Sequence, residues 1–482
     1  MRSEQWIEKC GIGWGQVRMI LIMYLYIFFC GSYLYISVFT AVTVDFSCEQ
    51  FTNLTFENTC LKNCTKYVYS QEISTIFSEY DLACGTGYVY FSLLQSFFLI
   101  GFIIGGIIAA FLQNRWGRML PIYVSTIGYN ISTCLSLFTN SIYGFELGHF
   151  ITGISHMLFI NSSILLVVEY VGKSHRTLFG MLYWVISGCS GVFSTLIAYI
   201  FQDVWRFQLL VNFLPINLLA IACYFYVSES PHWLISKRRF QDAAIVLRNL
   251  AKDNNIVTDD YTLENIEQDF SNEELTSMFS FSRTISELFH SRKAVTSTLI
   301  STYLWTVGNG IYLALIFDRQ ALSGNIYVNY VLISIVDLIN IFYIFVVNRV
   351  PRKRTCEFLL LIVSLVLFIN AFVNEVPYFS TTLTIIAKMF AGVFANAFYI
   401  LQPETLPVQI RATGMAYFEV VSKIAVLVFF GILQLNVISI KIPILIFALS
   451  AVVGLILLHF GIPNLDLRQL PDTTKETLQE KN

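Results

Sequence analysis

Charge is what this sequence has least of. Asp, Glu, Lys and Arg make up 13% of 482 residues, where a soluble globular protein carries about 25%. That shortage excludes a water-facing surface over most of the chain, and with it an ordinary soluble enzyme. Also missing is the G-x-x-x-x-G-K-[ST] loop that cradles nucleotide phosphates, so direct coupling to ATP has no support. Cys10, Cys30, Cys134, Cys189, Cys223 and Cys356 are scattered without metal-ligand spacing, and no metal or other cofactor is expected. His149 and His156 share one apolar segment without a convincing acid, nucleophile or ligand set beside them. They are expected to pack, and the chain is not expected to be an enzyme. No cleavable leader is evident, because residues 1–16 are polar and precede a full-length apolar run.

What is present is apolar length. Hydrophobic residues make 56% of the chain, in runs long enough for the roughly 20 residues a membrane helix needs. The runs predict twelve spans near 17–39, 89–111, 119–138, 146–168, 179–200, 207–227, 295–317, 325–347, 357–374, 380–401, 413–434 and 440–461. The lipid bilayer is therefore the main partner. Placing both termini in the cytoplasm puts most of the 30 Lys and Arg residues on that side, including Lys237-Arg238-Arg239 and Arg352-Lys353-Arg354. This is the positive-inside bias. It accounts for the basic clusters, so no nucleic acid is implied.

The spans divide the chain into a six-helix bundle over 1–227, a linker at 228–294, a second bundle over 295–461 and a tail at 462–482. Apolar spacing from Lys237 to Leu250, and in parts of 272–290, predicts short amphipathic helices in the linker. The first outside loop, residues 40–88, holds Cys48, Cys60, Cys64 and Cys84. An even set of four permits two disulfides in any of three pairings. Asn53 and Asn63 in the same loop are glycosylation acceptors. An oxidised, glycosylatable outer loop points to the plasma membrane.

The halves also correspond. Asn114-Arg115-Trp116-Gly117-Arg118 returns as Asn348-Arg349-Val350-Pro351-Arg352, and Glu169 with Arg176 returns as Glu404 with Arg411, both offset by about 235 residues. Parallel repeats of about six helices would keep such an offset.

These repeated loops resemble the major facilitator superfamily, and within it the organic ion transporters of solute carrier family 22. Asn114 to Arg118 is similar to the D-R-x-G-R loop, with Asn114 where the family has an acid. Glu169-Tyr170-Val171-Gly172 with Arg176 and Gly180 is similar to the segment after helix 4. Glu229-Ser230-Pro231-His232-Trp233-Leu234 resembles E-S-P-R-W-L, with His232 replacing arginine. Pro403-Glu404-Thr405-Leu406-Pro407 with Arg411 and Gly414 resembles the loop after helix 10. The resemblance implies an all-α polytopic fold of twelve transmembrane helices in two six-helix bundles. It also implies alternating access, with Arg115, Arg118, Glu169, Arg176, Glu229, Arg349, Glu404 and Arg411 as gating residues. In that reading Arg115 and Arg118 engage Glu169 or Glu229.

Ionisable residues inside spans are the substrate-site candidates, since an unpaired charge in low dielectric is costly. They are Asp337, Lys388, Glu419 and Lys423, with Lys388 read as a packing or gating residue. Lys423 falls where the family's anion carriers resemble it by having a basic residue. The resemblance therefore implies a small organic anion as substrate, carried by a facilitator or in exchange for an intracellular counter-anion. Glu419 precedes Lys423 by one helical turn and is placed to neutralise it, which keeps an organic cation or zwitterion open. Ile341 stands where anion carriers often have a further lysine, and this weakens the anion reading. Tyr303, Tyr312, Tyr399 and Asn309 complete the expected pocket, and Gly308 and Gly310 are expected to permit a bend. A transporter-like receptor that no longer transports is the other class, motivated by Asn114, His232 and Ile341.

Overall fold

The computed structural model describes residues 2–51, 60, 64, 66–70, 73–172, 175–256, 286, 288–317, 324–346, 349–373, 376–406, 411–437 and 439–462. The glycosylation acceptors Asn53 and Asn63, most of 272–290 and the tail from 463 lie outside these residues. In chain order the helices are α1 (Arg2–Lys9), α2 (Trp14–Thr40), α3 (Ile76–Glu79), α4 (Thr86–Trp116), α5 (Met119–Phe138), α6 (Ile142–Tyr170), α7 (Arg176–Ile200) and α8 (Trp205–Tyr226). They continue as α9 (Pro231–Ser236), α10 (Phe240–Asp253), α11 (Arg292–Phe317), α12 (Ile326–Ile335) and α13 (Asn340–Val346). The last are α14 (Arg352–Val373), α15 (Pro377–Leu401), α16 (Arg411–Leu433) and α17 (Lys441–Gly461). Two short strands, β1 (Phe46–Cys48) and β2 (Tyr67–Tyr69), pair antiparallel between α2 and α3.

Ten helical stretches among the described residues are long and apolar enough to cross a membrane. The expected spans at 119–138 and 413–434 also fold as helices, α5 and α16, but are not among the ten. For α5 the difference is chemical. α5 buries Ser125, Thr126, Tyr129, Ser132 and Thr133, and their hydroxyls bond across helices: Thr126 to Tyr26, Ser132 to Thr152 and Thr133 to Tyr33. Such bonds hold membrane helices together where lipid supplies no hydrophobic drive.

The chain divides into two compact units. One comprises Val17–Val167 and Ile186–Glu229; the other comprises Met1–Gln16, Val168–Val185 and Ser230–Asn482. In the first, α4 meets α6 backbone to backbone at glycines. A Cβ on Gly101 would strike the Phe150 carbonyl, one on Gly105 the Ile154 carbonyl, and one on Gly153 the Phe98 carbonyl. Small residues are what permit so close an approach.

The same unit carries a small folded cap. Cys48–Cys64 and Cys60–Cys84 are the disulfides formed, which selects one of the three pairings. Phe46, Phe77, Leu82 and Ala83 make its core, with Tyr67 and Tyr69 packed against it. Glu79 fastens the cap to the bundle: its carboxylate accepts from Trp205 Nε1 at 2.7 Å and pairs with Arg206 at 2.5 Å. Arg206 in turn donates to the carbonyls of Leu137 and Thr139 at the end of α5, where a cation also meets the helix dipole favourably. Tyr80 adds a bond to the Thr139 carbonyl, and burial pushes its phenol up to about 12.

In the second unit α10 buries Ala243, Ala244, Leu247, Leu250 and Ala251 on one face, as the linker's apolar spacing predicts. Asn254, just past its end, reaches back to the carbonyl of Cys10 and the amide N–H of Gly15. The span expected at 325–347 is not one helix. α12 gives way to a 3-10 turn at Val336–Ile339 before α13 resumes. Such a turn in mid-span marks a local departure with its own cause, and here that cause lies around Asp337.

Candidate functional site

The i,i+4 spacing on α16 brings Glu419 and Lys423 together. Lys423 Nζ lies 3.1 Å from Glu419 Oε1 and donates to Asn309 Oδ1 on α11 at 3.1 Å. Trp305, one turn before Asn309, donates its indole N–H to Glu419 Oε2 at 2.9 Å. The Trp305 ring lies 5.7 Å from Tyr399 and 5.9 Å from Phe398, both on α15. Three helices thus meet at one charged pair. The pair is asymmetric: 7% of the Lys423 side chain is exposed against 25% of Glu419, and Tyr399 is 45% exposed. Its accessible side therefore consists of a carboxylate and a phenol ring, with the ammonium drawn behind them.

Asp337 and Tyr312 form a separate cluster with Lys388. Lys388 Nζ pairs with Asp337 Oδ1 at 2.5 Å and donates to the Ile333 carbonyl at 2.7 Å. Tyr312 donates its hydroxyl to Asp337 Oδ2 at 3.1 Å, and its ring centre lies 4.9 Å from Lys388 Nζ. The Asp337 carbonyl accepts from Asn340, whose Oδ1 accepts from Asn396. The Ile333 carbonyl, at the end of α12, thus bonds to a side chain just where the helix changes winding. Asp337 is 4% exposed and Lys388 1%, so the charged pair itself is closed off between helices, while Tyr312 beside it stays half-buried.

Tyr303 joins neither cluster, since its hydroxyl donates to the Ser450 carbonyl on α17. α11 runs unbroken through Gly308 and Gly310, from Arg292 to Phe317. A Cβ at Gly308 would sit 2.9 Å from the Phe394 ring, and one at Gly310 would sit 2.8 Å from Phe429. These glycines make room for rings, a role that their spacing alone does not reveal. A cavity of about 640 Å³ lined by Asn130, Cys134 and Phe138 carries no charged side chain. It offers nothing that would recognise an organic ion.

The E-S-P-H-W-L segment has a local physical logic. Glu229 accepts from the backbone N–H groups of Arg118 at 2.8 Å and Met119 at 3.1 Å, placing a carboxylate at the N-terminus of α5 where the dipole favours it. Gly117, at φ +96°, leaves room for it; a Cβ there would collide with the Glu229 carboxylate. Ser230 caps α9 by accepting from Trp233 N–H, and Pro231 occupies its first turn. Glu229, expected to meet an arginine side chain, thus also caps a helix, a role its motif does not announce. Arg118 donates Nη1 to the Gln113 carbonyl, while Arg115 lies 4.8 Å from the Trp116 ring. Arg176 donates to the Val168 carbonyl, and Glu169 is buried. Arg349 is exposed, and the side chains of Glu404 and Arg411 lie outside the described residues. On the second half, Lys353 closes the end of α17 by donating to the carbonyls of His459 and Ile462.

A polytopic bundle of this order, with charged side chains paired among its apolar helices, has the architecture of a membrane transport protein. The family model described as "Sugar (and other) transporter" matches residues 49–476, and the chain belongs to that family. It is similar to solute carrier family 22 member 21 of Mus musculus, with 27% identity over 427 residues, 87% of this chain and 75% of the relative. It is also similar to organic cation/carnitine transporter 2 of Homo sapiens, with 26% identity over 419 residues, 86% of this chain and 74% of the relative. A solved structure, the inward open conformation of the xylose transporter XylE from E. coli, superposes with a TM-score of 0.67 at 16% identity. That match covers 94% of this chain and 97% of the other, and shows the major facilitator fold. The relationship to solute carrier family 22 is thus met, but neither of these relatives is named as an organic anion carrier.

Proposed function

We propose that this protein carries small organic cations or zwitterions across the plasma membrane by alternating access, with both termini in the cytoplasm. The carrying observation is the asymmetry of the α16 pair: Glu419 is its accessible member and Lys423 its buried one. A carboxylate beside the Trp305 and Tyr399 rings is suited to an ammonium, which is attracted by both negative charge and aromatic faces. A zwitterion would use both charges, its ammonium at Glu419 and its carboxylate toward Lys423. The relatives named as organic cation/carnitine transporters support the same class. The organic anion reading, with exchange for an intracellular anion, rests on Lys423 alone and requires that lysine to leave Glu419. Gating by the repeated loop arginines belongs to the same proposal.

The test is uptake of radiolabelled tetraethylammonium, carnitine and p-aminohippurate by cells expressing wild type, Glu419→Gln or Lys423→Ala at matched surface levels. Cation and carnitine uptake should be saturable and should fall about tenfold or more in Glu419→Gln. A charged hydrogen bond of about 1.5–3 kcal/mol sets that scale. Saturable p-aminohippurate uptake lost in Lys423→Ala, with the other two probes inert, would reverse the assignment in favour of anions. No saturable uptake of any probe by well-folded surface protein would favour the receptor reading.

A further inference from the structure

Helix α6 carries a second set of ionisable side chains, distant in sequence from the Glu419 pair. Glu146, His149 and His156 stand at i, i+3 and i+10, so with Gly153 they share one face of the helix. All three are buried, with 5%, 6% and 3% exposed. The face packs on α4, where the Phe98 ring lies 5.6 Å from His149 and 6.1 Å from His156. His149 stacks on Phe145 at 5.7 Å, and His156 Nδ1 lies 2.7 Å from the Tyr129 hydroxyl. The Oε1 of Glu146 is shut away from solvent and meets no hydrogen-bond donor.

A carboxylate so placed is expensive while ionised. Among the described residues, the other ionisable groups at this end of the bundle are engaged elsewhere. Tyr90 on α4 and Tyr143 on α6 pair ring to ring at 5.1 Å, and Arg206 on α8 is held by Glu79 of the cap. A metal ion would need several oxygen ligands, whereas the rings around α6 are aromatic. The neutralising species that fits is a proton.

We propose that Glu146 is a reversible proton-binding site of the transport cycle, so that an inward proton gradient drives substrate uptake. The inference rests on the transport reading above and adds its driving ion. A proton arriving from the cap end binds a carboxylate oxygen and leaves a neutral acid that the aromatic surroundings tolerate. Its release restores the negative charge and favours an arrangement in which water reaches the carboxylate. His149, one turn along, is the nearest group able to take up and pass on that proton. His156 with Tyr129 lies about 15 Å further along the helix axis from Glu146, by the rise of ten residues.

Two measurements test this on the full chain. The first needs no substrate: dicyclohexylcarbodiimide reacts with protonated carboxyl groups in apolar surroundings. Peptide mass spectrometry of purified protein should show Glu146 labelled at acidic pH, with labelling lost as pH rises and absent in Glu146→Gln. No labelling of Glu146 at any pH overturns the proposal. The second is uptake of tetraethylammonium and carnitine into liposomes containing wild type or Glu146→Gln. An acid-outside gradient should raise wild-type uptake several-fold over matched pH, and Glu146→Gln should transport at a rate indifferent to the gradient. Wild-type uptake that ignores the gradient, or gradient dependence intact in Glu146→Gln, counts against the site. If neither probe is taken up, the substrate class has failed, and carbodiimide labelling alone decides the proton site.

Discussion

Replacing Lys388 by alanine should leave little folded protein at the cell surface. The substitution removes the ammonium that meets Asp337 at 2.5 Å and the donor that bonds the Ile333 carbonyl. It leaves a carboxylate that is 4% exposed and still accepts from the Tyr312 hydroxyl. Breaking a buried ion pair from one side costs about 3–5 kcal/mol, a large part of the roughly 5–15 kcal/mol that holds a domain folded. The double substitution Asp337→Asn with Lys388→Met removes both charges and should recover most of the loss, because the desolvation cost disappears with them. Surface biotinylation and the melting temperature of purified protein read both variants. A Lys388→Ala protein as abundant and as stable as wild type would show that the cluster contributes no net stability.

The second large effect is expected at the contact of α4 with α6. Gly153→Leu places a side chain where the Phe98 carbonyl already stands, and backbone cannot swing aside as a flexible side chain can. The helices must separate, which breaks contacts along their whole shared length. Gly153→Ala should lower the melting temperature clearly and Gly153→Leu should abolish a cooperative transition, since overpacking by even one or two carbons costs about 1–3 kcal/mol. Gly431 on α16 is the control, because a Cβ there would meet nothing within 4 Å. Gly431→Ala should be neutral or stabilising by about 0.5–1 kcal/mol through helix propensity. Equal melting of Gly153→Leu and wild type would refute the close approach.

The extent of the fold was open to reading because membrane helices announce themselves by apolar length. Every one of the twelve expected spans contains helix, although the one around Asp337 is broken. That break was hidden because winding responds to a tertiary contact, the reach of Lys388 to the Ile333 carbonyl, which leaves no trace in the hydropathy of 325–347. The Glu419–Lys423 pair was legible from a one-turn spacing, a purely local property. Its orientation was not: which charge lies accessible depends on Asn309 and Trp305, more than a hundred residues earlier in the chain. Tyr312 is a pocket candidate by helix membership, and membership says nothing of its bond to Asp337, which depends on its rotational position on α11. Glu146 reads in sequence as one acid in an apolar run, and the signal that singles it out is its helical register with His149 and His156. The cap cysteines pointed to disulfides, but four equivalent thiols carry no pairing information. Glu79 was invisible because an acid in a polar loop is ordinarily solvated.

That glutamate makes the cap a handle. A loop tethered only through its two chain ends would swing freely, and whatever seized it from outside would feel no more than slack. Here the grip passes from Glu79 through Trp205 and Arg206 to the last carbonyls of α5. An antibody bound to the cap surface around Tyr80 and Asp81 would therefore have hold of α5 and α8 as well, and could brake the motion of those helices from the water side.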